Sequence, residues 1–305
     1  MVDYTMDKLD IDILRVLIHD CRTSYRKIGF AVGLTINSVK TRINRLVSLG
    51  IIRQFTLSIN LLILDYSSIC CIFIKKTKNM EKIIKHLNAI GKLILEVSGV
   101  GGNMMIGLAV AKKDEERIQL LIKTIQPLVI QNLFIAQIFP LKLNLRKTDF
   151  QIIKCLMSYP RMPIYEISKR VSCSSKTASK RLANMKENRI LTFIVATDPL
   201  KMKGYLRFGM FIQMNKNFHH KTLRIIQETL ERNFVVALPM LYYKDLIDYQ
   251  IITQNIFEID QTIEEIHSFD EVKSVESFIP RKAMIKRDWI LSEIDKKINI
   301  MSLLR

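Results

Sequence analysis

Residues 6–52 read MDKLDIDILRVLIHDCRTSYRKIGFAVGLTINSVKTRINRLVSLGII, and residues 145–191 read LRKTDFQIIKCLMSYPRMPIYEISKRVSCSSKTASKRLANMKENRIL. Laid together without a gap, they set Asp10, Ile13, Leu17, Arg22, Ile28, Val32, Arg42 and Ile51 opposite Asp149, Ile152, Leu156, Arg161, Ile167, Val171, Arg181 and Ile190, a constant offset of 139. Phe139-Pro140 then closes the first copy much as Ile279-Pro280 closes the second, 140 positions later. A fixed offset sustained over most of the chain means that a two-part unit occurs twice.

Within the first stretch, Leu9, Ile13, Leu14 and Leu17 fall at helical spacing behind Asp7, Asp10 and Asp12, acids suited to a helix N-terminus. Ser24 is a cap for a second helix, Gly33-Leu34 a turn, and Thr35 a cap for a third helix that ends before Gly50. On this third helix Ile36, Val39, Ile43, Leu46 and Val47 form an apolar stripe, with short polar and basic residues opposite. A recognition helix needs this separation: one face fixes it to its supports, the other reaches base edges and phosphates. A single solvated amphipathic helix shows the same pattern, but two in-register copies tip the reading towards DNA. The expected DNA face comprises Asn37, Ser38, Lys40, Thr41, Arg42, Asn44 and Arg45 in the first copy. In the second it comprises Lys176, Thr177, Lys180, Arg181 and Asn184. The second copy has Pro163 for Ser24, Ser172 for Gly33 and Arg189 for Gly50, with Asn188 as the expected left-handed cap.

After each trihelical unit the period changes. Strands are expected over 68–76, 93–98, 103–111 and 133–139, with helices over 79–90 and 114–126. The second copy repeats the order with strands near 205–214, 234–239, 246–253 and 272–279 and helices near 218–231 and 257–268. The fold class is therefore α+β: two tandem modules, each a winged helix-turn-helix followed by a ferredoxin-like βαββαβ domain. The expected layout is 1–58 and 145–198 for the helix-turn-helix domains, 59–144 and 199–285 for the sheet domains, and 286–305 for an amphipathic tail. That tail is expected to dock on a sheet domain or on another chain.

The chain has 47 Lys and Arg against 29 Asp and Glu, a formal net charge of +18, which favours an anionic partner. The excess is concentrated where the helices lie. No acid occurs from Cys21 to Leu64, and residues 145–195 hold eleven basic residues against Asp149, Glu166 and Glu187. Five cysteines with an adjacent pair, Cys70-Cys71, fit neither a zinc site nor a secreted disulfide framework. His219-His220 and the other histidines lack ligand partners at metal spacing, so no metal or cofactor is expected. The N-terminus resembles no secretion signal and no apolar run is long enough for a membrane span, which points to a cytoplasmic protein with no membrane partner. Nothing resembles a phosphate loop, a nucleophile elbow or a paired-carboxylate site, so an enzyme has no positive support.

Met6-Asp7-Lys8-Leu9-Asp10, Asp20-Cys21-Arg22-Thr23-Ser24, Val32-Gly33-Leu34-Thr35, Arg42-Ile43 and Gly50-Ile51-Ile52 resemble the DNA-binding signature of the Lrp/AsnC (feast-famine) family of prokaryotic transcription regulators. The resemblance implies double-stranded DNA as partner and sheet domains that pair, here as an internal pseudo-dimer, with a homo-oligomer as a further expectation. It also implies a small-molecule effector, often an amino acid, near the turn between the second and third strands, here Ser98, Gly99, Gly101, Gly102 and Asn103. Clustered glycines let backbone amides approach a carboxylate, although a simple hairpin needs glycine too. In the second copy the corresponding stretch, 238–246, has no glycine and carries Tyr242, Tyr243, Lys244 and Asp245. The unlike recognition faces imply an asymmetric DNA site. Two alternatives share the architecture: a non-selective DNA-compacting protein, and a sirohaem-decarboxylase-like enzyme, for which the strands offer Arg207 and Lys75-Lys76 but no histidine.

Overall fold

Each third helix of the repeated unit begins where a hydroxyl side chain satisfies an orphan amide. A computed structural model describes residues 4–118, 120, 130–138, 140, 144–215, 220–234, 236–242 and 245–303, with the backbone alone at 220 and 236–242. Phe139, most of the expected helix over 114–126, His219, Tyr243 and Lys244 lie outside the described residues. The first trihelical unit is α1 (Lys8–His19), α2 (Tyr25–Val32) and α3 (Ile36–Ser48). Asp7 and Asp10 form a reciprocal capping box at α1, Ser24 caps α2, and Thr35 Oγ1 accepts from Ser38 N at 3.2 Å to start α3. Most of the apolar stripe folds inward, with Ile13, Leu17, Ile28, Val39, Ile43 and Leu46 buried, whereas Ile36 and Val47, expected in the stripe of α3, are exposed.

A strand, β1 (Ile52–Ile59), follows, and then the first sheet domain: β2 (Ser68–Lys75), α4 (Met80–Ile90), β3 (Lys92–Gly99), β4 (Asn103–Val110), a helical stretch at 115–118, and β5 (Ile130–Gln137). The second copy repeats the pattern. It has α5 (Lys147–Ser158), α6 (Ile164–Val171), α7 (Ser175–Glu187) and β6 (Leu191–Thr197). Its sheet domain is β7 (Leu206–Met214), α8 (His220–Asn233), β8 (Val236–Tyr242), β9 (Leu246–Thr253), α9 (Glu258–His267) and β10 (Val272–Phe278). Among the described residues, β11 (Pro280–Ile285) and α10 (Asp288–Leu303) follow.

Contacts group these parts into two units that cut across the sequence order. One contains residues 66–139 and 199–286 with the first six residues; the other contains 7–65, 140–198 and 287–305. Like domains are thus gathered with like.

In the sheet unit the strand orders are β10-β7-β9-β8 and β11-β3-β4-β2-β5, every pairing among the described strands antiparallel. Alternation along β2 turns Cys70, Ile72 and Ile74 into the core that includes α4 residues, and turns Phe73 the other way. Phe73 meets Phe211 and Phe278 of the second copy edge-on at 5.1 and 5.8 Å, and Phe134 stacks on Phe211 at 6.3 Å. The two sheets therefore bury their free faces against each other, with Asn132 Nδ2 donating to Glu276 Oε1 at 2.6 Å. Sequence periodicity missed β11. Its six residues from the second copy pair with the edge of the first sheet, from Pro280 opposite Gly99 to Ile285 opposite Leu95.

In the helical unit, β1 and β6 form an antiparallel ribbon running from Ile52 opposite Thr197 to Ile59 opposite Leu191, with a bulge at Arg53. Its ends are closed by equivalent bonds, Asn60 N to Ile190 O and Asp198 N to Ile51 O, both 2.9 Å. The tail, expected to dock on a sheet domain or on another chain, packs within this unit. Ile290 and Ile294 of α10 are buried, and Lys154 of α5 meets Asp295 at 2.6 Å. No described helix is long and apolar enough to cross a membrane.

Candidate nucleic-acid interface

The helical unit concentrates the positive charge. By sequence it holds 25 of the 47 Lys and Arg but only 12 of the 29 Asp and Glu, which gives it +13 of the total +18. That is the electrostatic footprint a polyanion requires.

The two helix-turn-helix copies are joined by reciprocal contacts. Arg22 donates to the Pro160 and Met162 carbonyl oxygens at 2.5 and 2.9 Å, and its guanidinium lies 5.3 Å from the Phe193 ring centroid. Its counterpart Arg161 lies 5.0 Å from Phe55 and 4.8 Å from Tyr25. The bulge at Arg53 shortens the offset by one residue, so Phe55 and Phe193 correspond and each copy's arginine covers the other copy's ribbon. Both recognition helices are thus held by one support.

On α3, Asn37, Lys40, Thr41 and Asn44 are exposed, one turn after another along one face. Ser38 is half-buried, its hydroxyl 2.9 Å from that of the capping Thr35. On α7, Lys176, Thr177, Ser179 and Lys180 are exposed, with Thr177 Oγ1 2.9 Å from the hydroxyl of Ser174, the cap of this helix. Asn184 is half-buried. Ser179, absent from the expected face, stands between Lys176 and Lys180; its spacing was sufficient to identify it.

Arg42 and Arg181, expected on the DNA face, are turned inward. Arg42 Nη1 lies 2.7 Å from Asp7 and 2.9 Å from Asp10, whose side chain is 0% exposed, and Arg45 Nη2 approaches the same Asp10 oxygen at 3.5 Å. Arg181 Nη1 lies 3.2 Å from Asp149, also 0% exposed. These arginines match between copies because each ties the recognition helix to a buried carboxylate on the first helix. A sequence comparison cannot separate that role from phosphate binding. Asp7 is held below its ordinary value: burial opposes this, but the Arg42 hydrogen bond, the Asp10 amide and the Arg42 and Arg45 charges outweigh it. Asp149 is pushed up, because burial outweighs its bond from the Arg146 amide and the charges of Arg181 and Arg146.

One cap also differs from expectation. Asn188, expected to be left-handed, has φ −87°, and Arg189 itself takes the left-handed conformation at φ 53°; Ser172, in place of Gly33, is left-handed too at φ 55°.

The expected effector turn is a tight connection. Gly101 and Gly102 are exposed with φ 67° and 75°, and Lys75 Nζ donates to Gly101 O at 2.7 Å and to Asn103 Oδ1 at 3.3 Å. Ser98 is exposed, but Gly99 is buried; a Cβ there would fall 2.5 Å from the Phe278 ring. Glycine at position 99 therefore serves sheet packing. Arg207 is also committed, donating to Gln250 Oε1 at 3.0 and 2.6 Å.

Residues 6–47 match the AsnC-type helix-turn-helix domain model, and residues 145–192 match a winged helix-turn-helix DNA-binding model. The chain is 32% identical over 115 residues to an uncharacterized HTH-type transcriptional regulator of Pyrococcus furiosus, covering 37% of this chain and 78% of that protein. It is 31% identical over 129 residues to the HTH-type transcriptional regulator Ptr1 of Methanocaldococcus jannaschii, covering 42% of this chain and 86% of that one. The chain belongs to the Lrp/AsnC family of helix-turn-helix transcriptional regulators. Over its whole tandem length it also resembles the crystal structure of the siroheme decarboxylase NirDL, with TM-score 0.53, 14% identity and coverage of 98% of this chain and 99% of that one. At that identity the likeness is one of fold.

Proposed function

We propose that this chain is a transcription regulator that binds duplex DNA through α3 and α7 and performs no catalysis. The observation that carries the reading is the pair of capped helices, both presenting exposed basic and polar side chains from one strongly basic unit. Asn37, Lys40, Thr41, Asn44, Lys176, Thr177 and Lys180 are its DNA-facing residues, with Arg42 and Arg181 as supports beneath them. The paired sheet domains act as an internal pseudo-dimer, replacing a second chain. A small anionic effector is assigned to the turn at Ser98, Gly101, Gly102 and Asn103, where Lys75 supplies the positive charge.

Genomic fragments retained by the full chain at physiological salt, once sequenced, test the reading. A discrete set of sites is expected. Retention in proportion to abundance points instead to a DNA-compacting role, because phosphate contacts alone carry no sequence information.

A second reading, a tetrapyrrole decarboxylase, is favoured by the whole-chain likeness to NirDL. Against it, the five histidines occupy positions 19, 86, 219, 220 and 267, none on a described strand, and Arg207 is bonded to Gln250. A Soret shift on adding sirohaem to the purified chain, with loss of carboxylate groups from it, would restore that reading.

A further inference from the structure

Equivalent positions on the two exposed helix faces carry different chemistry. Asn37, Lys40, Thr41 and Asn44 of α3 are met on α7 by Lys176, Ser179, Lys180 and Ala183, all eight exposed. Asn37 and Asn44 offer amides, the side chain whose paired donor and acceptor match adenine in the major groove. Lys176 and Lys180 offer compact cations, and no ion pair or hydrogen bond among the described residues engages either of them. Ala183 removes the second amide. Glu187, an acid on the second helix, replaces Ser48 in the last turn, away from the N-terminal turns that approach bases.

Resting on the DNA-binding reading above, we propose that the two helices divide the work on a non-palindromic duplex: α3 selects bases in one half-site and α7 anchors the other half-site chiefly through phosphates. Both helices belong to one chain and are tied by the β1–β6 ribbon and the reciprocal Arg22–Phe193 and Arg161–Phe55 contacts. Exchange of the two ends is therefore not a symmetry of the molecule. The protein sits on its site in one orientation only.

Photo-crosslinking on a duplex selected in vitro by the full chain tests this. Benzoylphenylalanine replaces Ser48 in one variant and Glu187 in another, and adducts are mapped on end-labelled strands. Each variant is expected to mark one end of the site, and the two variants opposite ends. Equal marking of both ends by either variant, or selection of a palindrome, overturns the proposal while leaving DNA binding intact. Failure to select any duplex overturns the DNA-binding reading and the proposal together. In parallel, Asn37→Ala with Asn44→Ala is expected to relax base preference in one half-site with an unchanged salt slope. Lys176→Ala with Lys180→Ala is expected to weaken all sequences alike and reduce the salt slope by about 2. A change of base preference in the lysine variant matching that in the asparagine variant also contradicts the division.

Discussion

The first helix-turn-helix and the second share their buried stripe but differ in how the recognition helix is tied down. In the first, the buried Asp10 is approached by both Arg42 and Arg45, with Asp7 sharing the Arg42 guanidinium. In the second, Asn184 stands where Arg45 was and Arg146 where Asp7 was, so Asp149 keeps one arginine, and its Oδ1 has no hydrogen-bond partner among the described residues. The two copies thus share a core but differ in ionic support. An arginine matched between two helix-turn-helix copies can thus be matched for its grip on the protein.

The largest expected effect comes from removing the remaining support. Arg181→Leu leaves a fully buried carboxylate without its cation and is expected to cost about 3 kcal/mol. Arg42→Leu is expected to cost about half as much, because Arg45 still reaches Asp10. Urea unfolding followed by hydrogen exchange of each copy measures both, and equal losses would break the comparison. In the opposite direction, Asn184→Arg restores the missing second arginine and is expected to stabilise the second copy by about 1 kcal/mol. Trp289, the sole tryptophan, lies on α10, which packs on α5, and its fluorescence reports on that copy.

The copies are expected to respond to acid with opposite signs. Asp7, depressed when folded, contributes stability that is present above the ordinary carboxylate value of 3.8 and lost as pH falls through its lower folded value. Asp149, raised when folded, contributes stability that is full below 3.8 and lost as pH rises through its higher folded value. Acidification to about pH 4 is therefore expected to favour the second copy relative to the first, and further acidification to weaken the first. Denaturant titrations across this range with copy-resolved exchange check the signs; Asp149→Asn is expected to remove the second trend. The smallest effect is expected at the left-handed cap: Ser172→Gly relieves an unfavourable backbone conformation and is expected to gain up to about 1 kcal/mol in thermal unfolding, less what glycine adds to unfolded-state entropy.

Most of the helices and strands were legible because apolar spacing of three to four, and then of two, is imposed by burial on one face. The capping hydroxyls of Ser24 and Thr35 were legible for a local reason, the spacing to the third following amide. Partners distant in sequence were not. Nothing local in Pro280–Ile285 shows that this segment extends the sheet of the other copy, or that the row of Ile290 and Ile294 fits α5. At the candidate site, residue types identified the face, but the inward turn of Arg42 and Arg181 depends on carboxylates more than thirty positions away. Residue type likewise does not reveal that Ser38 is half-buried, with its hydroxyl engaged by that of the capping Thr35.

The most direct test of the central claim is equilibrium binding of the full chain to its best selected duplex and to a scrambled duplex, titrated at several salt concentrations. Selective DNA binding through α3 and α7 predicts a selected site bound at least about a thousandfold more tightly than the scrambled one, with both affinities falling as salt rises. Equal affinity for the two duplexes at every salt concentration, or no binding to either, would contradict it.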